Sequence, residues 1–459
     1  MIRNMNIHFI AIGGAAMHNL ALALHQKGYR VTGSDDEIFE PSKSRLQQAG
    51  LLPEAWGWFP EKITPSLDAV ILGMHAREDN PELLRAKELG VRIYSYPEYL
   101  YEQTKNKRRV IVGGSHGKTT TTSMIMHVLQ SCGIPFDYMA GALLEGFDTM
   151  VRLSEESRIA VFEGDEYLSS PIDRRPKFHH YHPDIAILTG IAWDHMNVFP
   201  TFDNYVEQFA LYLEKITPGG SLIYYDGDEN IRRILPRAAA SVKQLPYHTF
   251  PHTVKEGVTS LTTMQGKEVP LRVFGQHNLQ NISAAYLACR ELGVSDTDFL
   301  RSIATYNGAA KRLQKIAENG QTTVFLDFAH SPSKLQATIR AVKEQYPSRR
   351  LIACMELHTF SSLNAAFLPQ YAHSMDAADE AIVYFNPEVV RHKRLPEITV
   401  TDVQRGFAND RVKVYTDNAP LLAQIEAEDL RDTVLLVMTS GNFSGIDLKK
   451  WAQSLTESK

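Results

Sequence analysis

The chain has 459 residues, 44% of them hydrophobic and 22% charged, a balance typical of soluble globular proteins and, at this length, of roughly two to four domains rather than one core. A formal charge of −5 excludes the basic footprint of a nucleic-acid binder, and no apolar stretch approaches the ~18 residues that span a bilayer, so neither nucleic acid nor a membrane is expected as a partner. Cys132, Cys289 and Cys354 lie too far apart for a disulfide framework or a Cys-rich zinc site, and the opening "MIRNMNIHFIAIGG" lacks a signal peptide's features, so the expected location is the reducing cytoplasm.

From about residue 5 to 105 the pattern alternates strand and helix. "NIHFIAIGG" reads as a buried strand, "HNLALALHQKG" as a helix, "YRVTGSD" as a second strand ending in acid. "DAVILGMHA" and "VRIYSYP" repeat the motif around the helical "NPELLRAKELG". Short links between such segments predict a parallel sheet covered on both faces. The turn "AIGGAAM" approaches a dinucleotide fingerprint but puts Ala11, Gly13 and Ala16 where three glycines belong, which argues against NAD. A phosphate near the start of the following helix remains reasonable, because that helix's free N–H groups point at it.

The second block follows the charged link "EQTKNKRR". "VIVGGSHGKTTTTSMIMHVLQ" is an apolar strand, a turn of small residues and an amphipathic helix. Gly114, Ser115 and Gly117 let backbone N–H groups curl around phosphate oxygens, Lys118 supplies a point charge, and the Thr119 hydroxyl can ligate Mg²⁺. The strict P-loop pattern wants glycine at Val112, so this is a variant. "RIAVFEGDE" and "DIAILTGIAWDH" are strands, the first ending in Glu163, Asp165 and Glu166. Such acids alone form a solvated turn; beside a P-loop, at least one suits the metal. Asp194 and His195 end the next strand, as a structural cap or as ligand-facing groups. "HHYHP" lacks the i, i+4 spacing and nearby cysteine of a zinc site and reads as the approach to a strand. A helix near "NYVEQFALYLEKI", the strand "GGSLIYYD" and the helix "GQHNLQNISAAYLACRELG" complete the block. In the last, Asn278 serves as an N-cap, or the His and Asn edges read an adenine.

The third block starts near "KRLQKI" and carries strands "TTVFLDFAH", "RLIACME", "EAIVYF", "RVKVY" and "TVLLVMTSG" between helical stretches, a second doubly wound unit. Asp327 and His330 end its first strand, where a carboxylate suits ribose hydroxyls and a histidine a phosphate or amine. A P-loop taken alone would equally serve a nucleotide-responsive binding protein.

In chain order, "AIGGAAM", "VTGSD", "DNPEL", "GGSHGKTTTT", "FEGDEY", "WDHMNVF", "GQHNLQNISAA", "KRL", "LDFAHSP" and "VMTSGNFSG" together resemble the Mur ligases, ATP-dependent amide-forming enzymes of peptidoglycan metabolism, over nearly the whole chain. Their P-loop is the same short form. The resemblance implies an α/β fold of three domains: a Rossmann-like domain for a UDP-sugar (1–105), a central P-loop domain with a mostly parallel sheet (106–308), and a Rossmann-like domain closing on ATP and amine (309–459). It implies ATP and Mg²⁺ as cofactors and UDP-N-acetylmuramate plus a peptide or amino-acid amine as substrates, the branch that ligates L-alanyl-γ-D-glutamyl-meso-diaminopimelate being nearest and the L-alanine-adding branch the rival.

By the same resemblance, Gly114, Ser115, His116, Gly117, Lys118, Thr119 and Thr120 would hold ATP phosphates, with Thr119, Glu163 and His195 on metal. His277 and Asn281 would face the adenine, Asp327 the ribose and Arg312 the phosphates. Lys118, Glu163, His195, Arg312 and His330 would be the catalytic set, and Gly13, Gly14, Ala15, Met17, Ser34, Asp35 and His75 the UDP-sugar contacts. Two departures stand out. Phe209 falls where some relatives carry a modified lysine, and His358 where relatives carry an arginine that bears on amine recognition.

Overall fold

The structure is a computed structural model that describes residues 5–457 apart from 145, 194–197, 256, 264–265 and 309–311. It divides into two compact units: Met1–His248 with Gln280–Ile303, and Thr249–Leu279 with Ala304–Lys459. The architecture is the expected mixed α/β one with mostly parallel sheets. No described helix is long and apolar enough to cross a membrane.

The first unit holds two sheets. In the first, strands Arg30–Ser34, Asn6–Ile10, Ala69–Leu72 and Ile93–Ser95 lie side by side in that order, all parallel. Their residues alternate between faces as a strand's period of two requires. Ile7 and Phe9 pack with Leu20, Leu24 and Tyr99 on one side, and Ile10, Val70 and Leu72 with Leu83 and Ala86 on the other. "NPELLRAKELG" becomes the helix Pro81–Glu88 because Asn80 Oδ1 accepts from the amides of Glu82 and Leu83 at 2.9 and 3.1 Å, and Pro81 occupies a first-turn position that needs no donor.

The second sheet runs Lys243–Tyr247, Ser221–Tyr225, Ile185–Leu188, Arg108–Gly113, Ile159–Glu163, Asp137–Met139, Val151–Arg152, parallel except for the last pair. The P-loop strand is central and pairs Val112 with Glu163 and Gly113 with Leu188, so three strand ends meet around the loop. Val112, the residue in place of the expected glycine, is wholly buried inside this strand; the turn only begins after Gly113. "HHYHP" leads into the strand Ile185–Leu188 by way of a 3-10 turn, Lys177–His180, in which His179 stacks on Phe178 with ring centroids 4.8 Å apart.

The second unit contains a six-stranded sheet in the order Gln314–Glu318, Thr322–Asp327, Thr433–Met438, Arg350–Leu357, Glu380–Phe385, Val412–Tyr415. All the strands read from the third block are there and parallel. The edge strand Gln314–Glu318 is antiparallel and was not legible in "KRLQKI". Three short antiparallel strands, His252–Lys255, Val258–Thr262 and Glu268–Pro270, belong to this unit too. Thr259 Oγ1 in the middle strand donates to Gln345 Oε1 at 2.9 Å, and just after the last strand Phe274 meets Phe325 edge-on at 5.5 Å. The helix Gln276–Glu291 therefore begins in one unit and continues in the other.

Candidate active site

The P-loop is built on backbone that only glycine adopts easily. Gly114 has φ 130° and Gly117 φ 76°, both in the left-handed region. Space enforces the same choice, since a Cβ on Gly114 would collide with the Thr189 hydroxyl and one on Gly117 with the Asn281 amide oxygen. Gly117 is also the N-cap of the helix Lys118–Ser131, and no side chain caps that end, so its first N–H groups are available to an anion. Asn281, expected to read adenine, is brought against the phosphate loop itself.

Lys118 is largely buried, its side chain 14% exposed, with Nζ 2.7 Å from the Gly114 carbonyl and 2.7 Å from Glu166 Oε2. Burial works against its charge, yet Glu166, Asp165 and Glu163 outweigh burial and hold its pKa above the ordinary lysine value. Ser115 is held from three sides: its amide donates to the Gly190 carbonyl, and its hydroxyl accepts from the Ala192 amide and meets the Tyr205 hydroxyl at 2.9 Å. Tyr205 in turn donates to Glu166 Oε1 at 3.0 Å. The Thr189 hydroxyl donates to the His116 carbonyl, and Thr120 is buried at the start of the helix.

Glu163 lies 8% exposed between two donors, the Thr119 hydroxyl at 2.9 Å and the Gly141 amide at 2.8 Å. Burial pushes the Asp165 carboxyl up, but Lys177 and Lys118 beside it prevail and hold it down at about 2. Thr119 and Glu163 thus present hard oxygen donors side by side, a set that fits Mg²⁺ better than a softer ion. His195, expected at a second metal, lies outside the described residues. Glu98, Asp173 and His180 also gather three donor atoms within 4.8 Å, but Arg175 engages both oxygens of Asp173, at 2.9 and 2.6 Å. Phe209 is fully buried between Phe178 and Tyr205, so a modified lysine has no counterpart here.

In the first domain the Gly13 amide donates to Asp35 Oδ2 at 2.7 Å, and Gly14 opens the helix Ala15–Gln26 without a side-chain cap. Met17 is buried behind the turn, Ser34 keeps a buried hydroxyl without a hydrogen-bond partner, and His75 is exposed. Burial, partly offset by the Gly13 amide and reinforced by Asp36, pushes the Asp35 carboxyl up to about 6. A carboxyl raised on folding takes up a proton, so its contribution is complete below its ordinary value near 3.8 and is lost as pH rises through about 6. Asp35→Asn keeps an acceptor for Gly13 and removes the titration. Denaturant unfolding at about pH 4 and about pH 7 should show the wild type losing roughly 2–3 kcal/mol more than the variant.

The second unit gathers the remaining predicted residues. Burial lowers the pKa of His277, Asp327 acting to raise it and Arg312 to lower it further, which places all three within electrostatic reach. The Arg312 guanidinium sits over the Phe328 ring at 5.0 Å. Asp327 accepts from the amides of Leu313 and Ala329 at 2.6 and 2.7 Å, and His330 Nδ1 lies 2.9 Å from the Phe328 carbonyl. His358 stands 3.7 Å from the buried Glu356. Sequence reasoning missed Thr189, Tyr205, Gly141 and Lys177 as parts of the site. No motif marks them, and only the pairing of strand ends brings them in.

Residues 6–108 match the catalytic domain of the Mur ligase family, 112–289 the Mur ligase middle domain, and 311–441 its glutamate ligase domain. The chain is 29% identical over 455 residues to the UDP-N-acetylmuramate–L-alanyl-γ-D-glutamyl-meso-2,6-diaminoheptandioate ligase of Escherichia coli, covering 97% of each. It is 32% identical over 391 residues to the UDP-N-acetylmuramate–L-alanine ligase of Limosilactobacillus reuteri, covering 82% of this chain and 84% of that one. A crystal structure of a murein peptide ligase from Psychrobacter arcticus superposes with a TM-score of 0.63 at 24% identity, over 99% of both chains. With all three domains matched in order around this P-loop and its acids, the chain belongs to the Mur ligase family, whose members are ATP-dependent amide-bond ligases.

Proposed function

We propose that this ligase joins the carboxylate of UDP-N-acetylmuramate to the amine of L-alanyl-γ-D-glutamyl-meso-diaminopimelate through an acyl phosphate, in the reuse of peptidoglycan fragments. The observation that carries the chemistry is Lys118, a buried cation at the P-loop held between the Gly114 carbonyl and the Glu166 carboxylate. The branch is supported by the relationship to the Escherichia coli enzyme, which extends over 97% of both chains.

A carboxylate does not condense with an amine in water, because its oxygen is a poor leaving group. Transfer of the γ-phosphoryl group of ATP to that oxygen breaks its bond to ADP, which leaves, and makes an anhydride; attack by the neutral amine on the carbonyl carbon then expels phosphate as the nitrogen gives up a proton. Both reactants of the first step are anions, so the site must supply positive charge where they meet. Lys118 does so from the P-loop, and the free N–H groups at the start of the helix Lys118–Ser131 cradle the phosphates. Thr119 and Glu163 would hold Mg²⁺, which when bound screens the phosphate oxygens. Burial confines these charges to a low-dielectric site, where each is worth more than in water. The incoming α-amine has an ordinary pKa of about 8, so a useful fraction is already neutral near pH 7 without a dedicated base.

L-alanine as acceptor is the second reading, favoured by the relative from Limosilactobacillus reuteri. Phosphate release measured with ATP, UDP-N-acetylmuramate and each amine separates the two: the tripeptide should turn over and alanine should not. Alanine-only turnover would transfer the assignment to the rival. With hydroxylamine in place of the amine, a hydroxamate of the sugar nucleotide should accumulate; its absence would remove the acyl phosphate from the scheme.

A further inference from the structure

The helix that starts at the Gly13–Gly14 turn is joined to the middle sheet by a buried polar network whose donors and acceptors can be assigned without ambiguity. Asn19 is wholly buried. One end of its amide faces Arg45 Nη1 at 3.1 Å and the Met150 amide at 3.0 Å, both of which can only donate, so that end is the oxygen. The other end donates to the Ala15 carbonyl at 2.8 Å and to His18 Nε2 at 3.0 Å. His18 Nε2 therefore accepts, and its proton sits on Nδ1, which is 3.0 Å from the Gly14 carbonyl and 3.0 Å from the Ser42 hydroxyl. Burial, opposed by the bond to Gly14 and aided by Arg45, lowers the His18 pKa and keeps the ring neutral.

The network continues across the first unit. Arg45 Nη2 donates to the Asp148 carbonyl at 2.5 Å. The Met150 carbonyl accepts from the Ala140 amide at 2.9 Å, and the next amide, that of Gly141, donates to Glu163 Oε2. An uninterrupted path of hydrogen bonds and one short backbone segment thus connects the carbonyl at the turn, Gly14, to the carboxylate beside Thr119.

We infer that Arg45 is a positioning residue: through Asn19, the backbone of Asp148 and Met150, and the Ala140 and Gly141 amides paired with Met150 and Glu163, it sets the register of the first-domain turn against Glu163. The inference rests on the reading above, in which a sugar nucleotide lies on the turn and its acid meets the phosphoryl group near Glu163. A contact needed only for stability could be apolar. Here Asn19 spends its oxygen and both donors on fixed partners, so any shift of the helix leaves a buried polar group unpaired. Registration to a fraction of an ångström is what transfer between two bound groups requires, since a misplacement of about 1 Å can cost about 10²-fold in rate.

The test is Arg45→Ala beside Arg45→Lys, measured per ATP-binding site so that misfolded material does not count. Arg45 is half-buried at the surface of a short helix, so its truncation opens no core. The alanine variant should lose about 10–100-fold in kcat with the KM for ATP within about twofold of wild type, and lysine, which keeps one donor, should recover part of the loss. A lowered unfolding temperature with unchanged kcat per site would make the network merely structural and overturn the inference, as would equal kcat in all three proteins. Should the wild type itself fail to consume UDP-N-acetylmuramate, the underlying reading falls and takes this one with it, an outcome visible before any variant is made.

Discussion

Replacing Lys118 by alanine is expected to lower kcat/KM by about 10³-fold or more, the largest loss of any single substitution in the P-loop. Its Nζ lies 2.7 Å from both the loop carbonyl of Gly114 and the Glu166 carboxylate. Without it, two approaching anions meet Glu163, Asp165 and Glu166 with much less positive charge to offset them. The same removal leaves Glu166, its side chain 1% exposed, buried without its counter-ion, so stability should fall too, by about 3–5 kcal/mol. The two effects can be separated. Lys118→Ala combined with Glu166→Gln removes both charges and should restore much of the unfolding temperature while activity stays lost. Recovery of turnover in the double variant would mean that Lys118 serves the fold alone. Calorimetry of ATP binding gives the third readout, a weakened or absent heat in both variants.

That Lys118 could be picked out from sequence follows from how local its setting is. Strand, turn and helix are contiguous, and the glycines that permit the turn stand next to the residues that use it. Most parallel strands of the three blocks were legible for a similar reason, as apolar runs such as "AVIL" and "TVLLVM" that are buried on both faces, whereas the parallel Asp137–Met139, only three residues long, and Lys243–Tyr247, polar and at the sheet edge, were not. The misses share an opposite character. Gln314–Glu318 and the three short strands from His252 to Pro270 are brief and, apart from the buried but mostly polar Thr259–Leu261, largely exposed or half-buried, and they pair antiparallel, so no apolar run announces them. Tyr205 reaches Ser115 across 90 residues of sequence, and Thr189 reaches His116 across 73, contacts that exist only because the strands Arg108–Gly113 and Ile185–Leu188 are neighbours. Asn281 shows the same limit from the other side. Its residue type suggested an adenine edge, and its proximity to Gly117 is a further placement, fixed by packing and absent from any local pattern.

Glu163→Gln is expected to cost about 10²–10³-fold in kcat while leaving the fold intact. The carboxylate accepts from two donors of different kinds, the Gly141 amide, which cannot reverse, and the Thr119 hydroxyl, which can. A glutamine places its oxygen toward Gly141 and its NH₂ toward Thr119, whose hydroxyl rotates to accept. Both hydrogen bonds survive, so the unfolding temperature should move by no more than a few degrees. What disappears is one negative charge, and with it the site's hold on a divalent cation. The concentration of Mg²⁺ at half-maximal rate should therefore rise by about tenfold or more, alongside the fall in kcat. Thr119 provides the cross-check, because in the variant the glutamine NH₂ donates to the Thr119 hydroxyl oxygen and so competes with the cation for that oxygen. Removing that hydroxyl as well, by Thr119→Val in the Glu163→Gln background, should then cost less than it does in the wild type. Fully additive losses would place the two side chains in separate roles; a large drop in unfolding temperature with unchanged Mg²⁺ dependence would reduce Glu163 to a structural acceptor for Gly141.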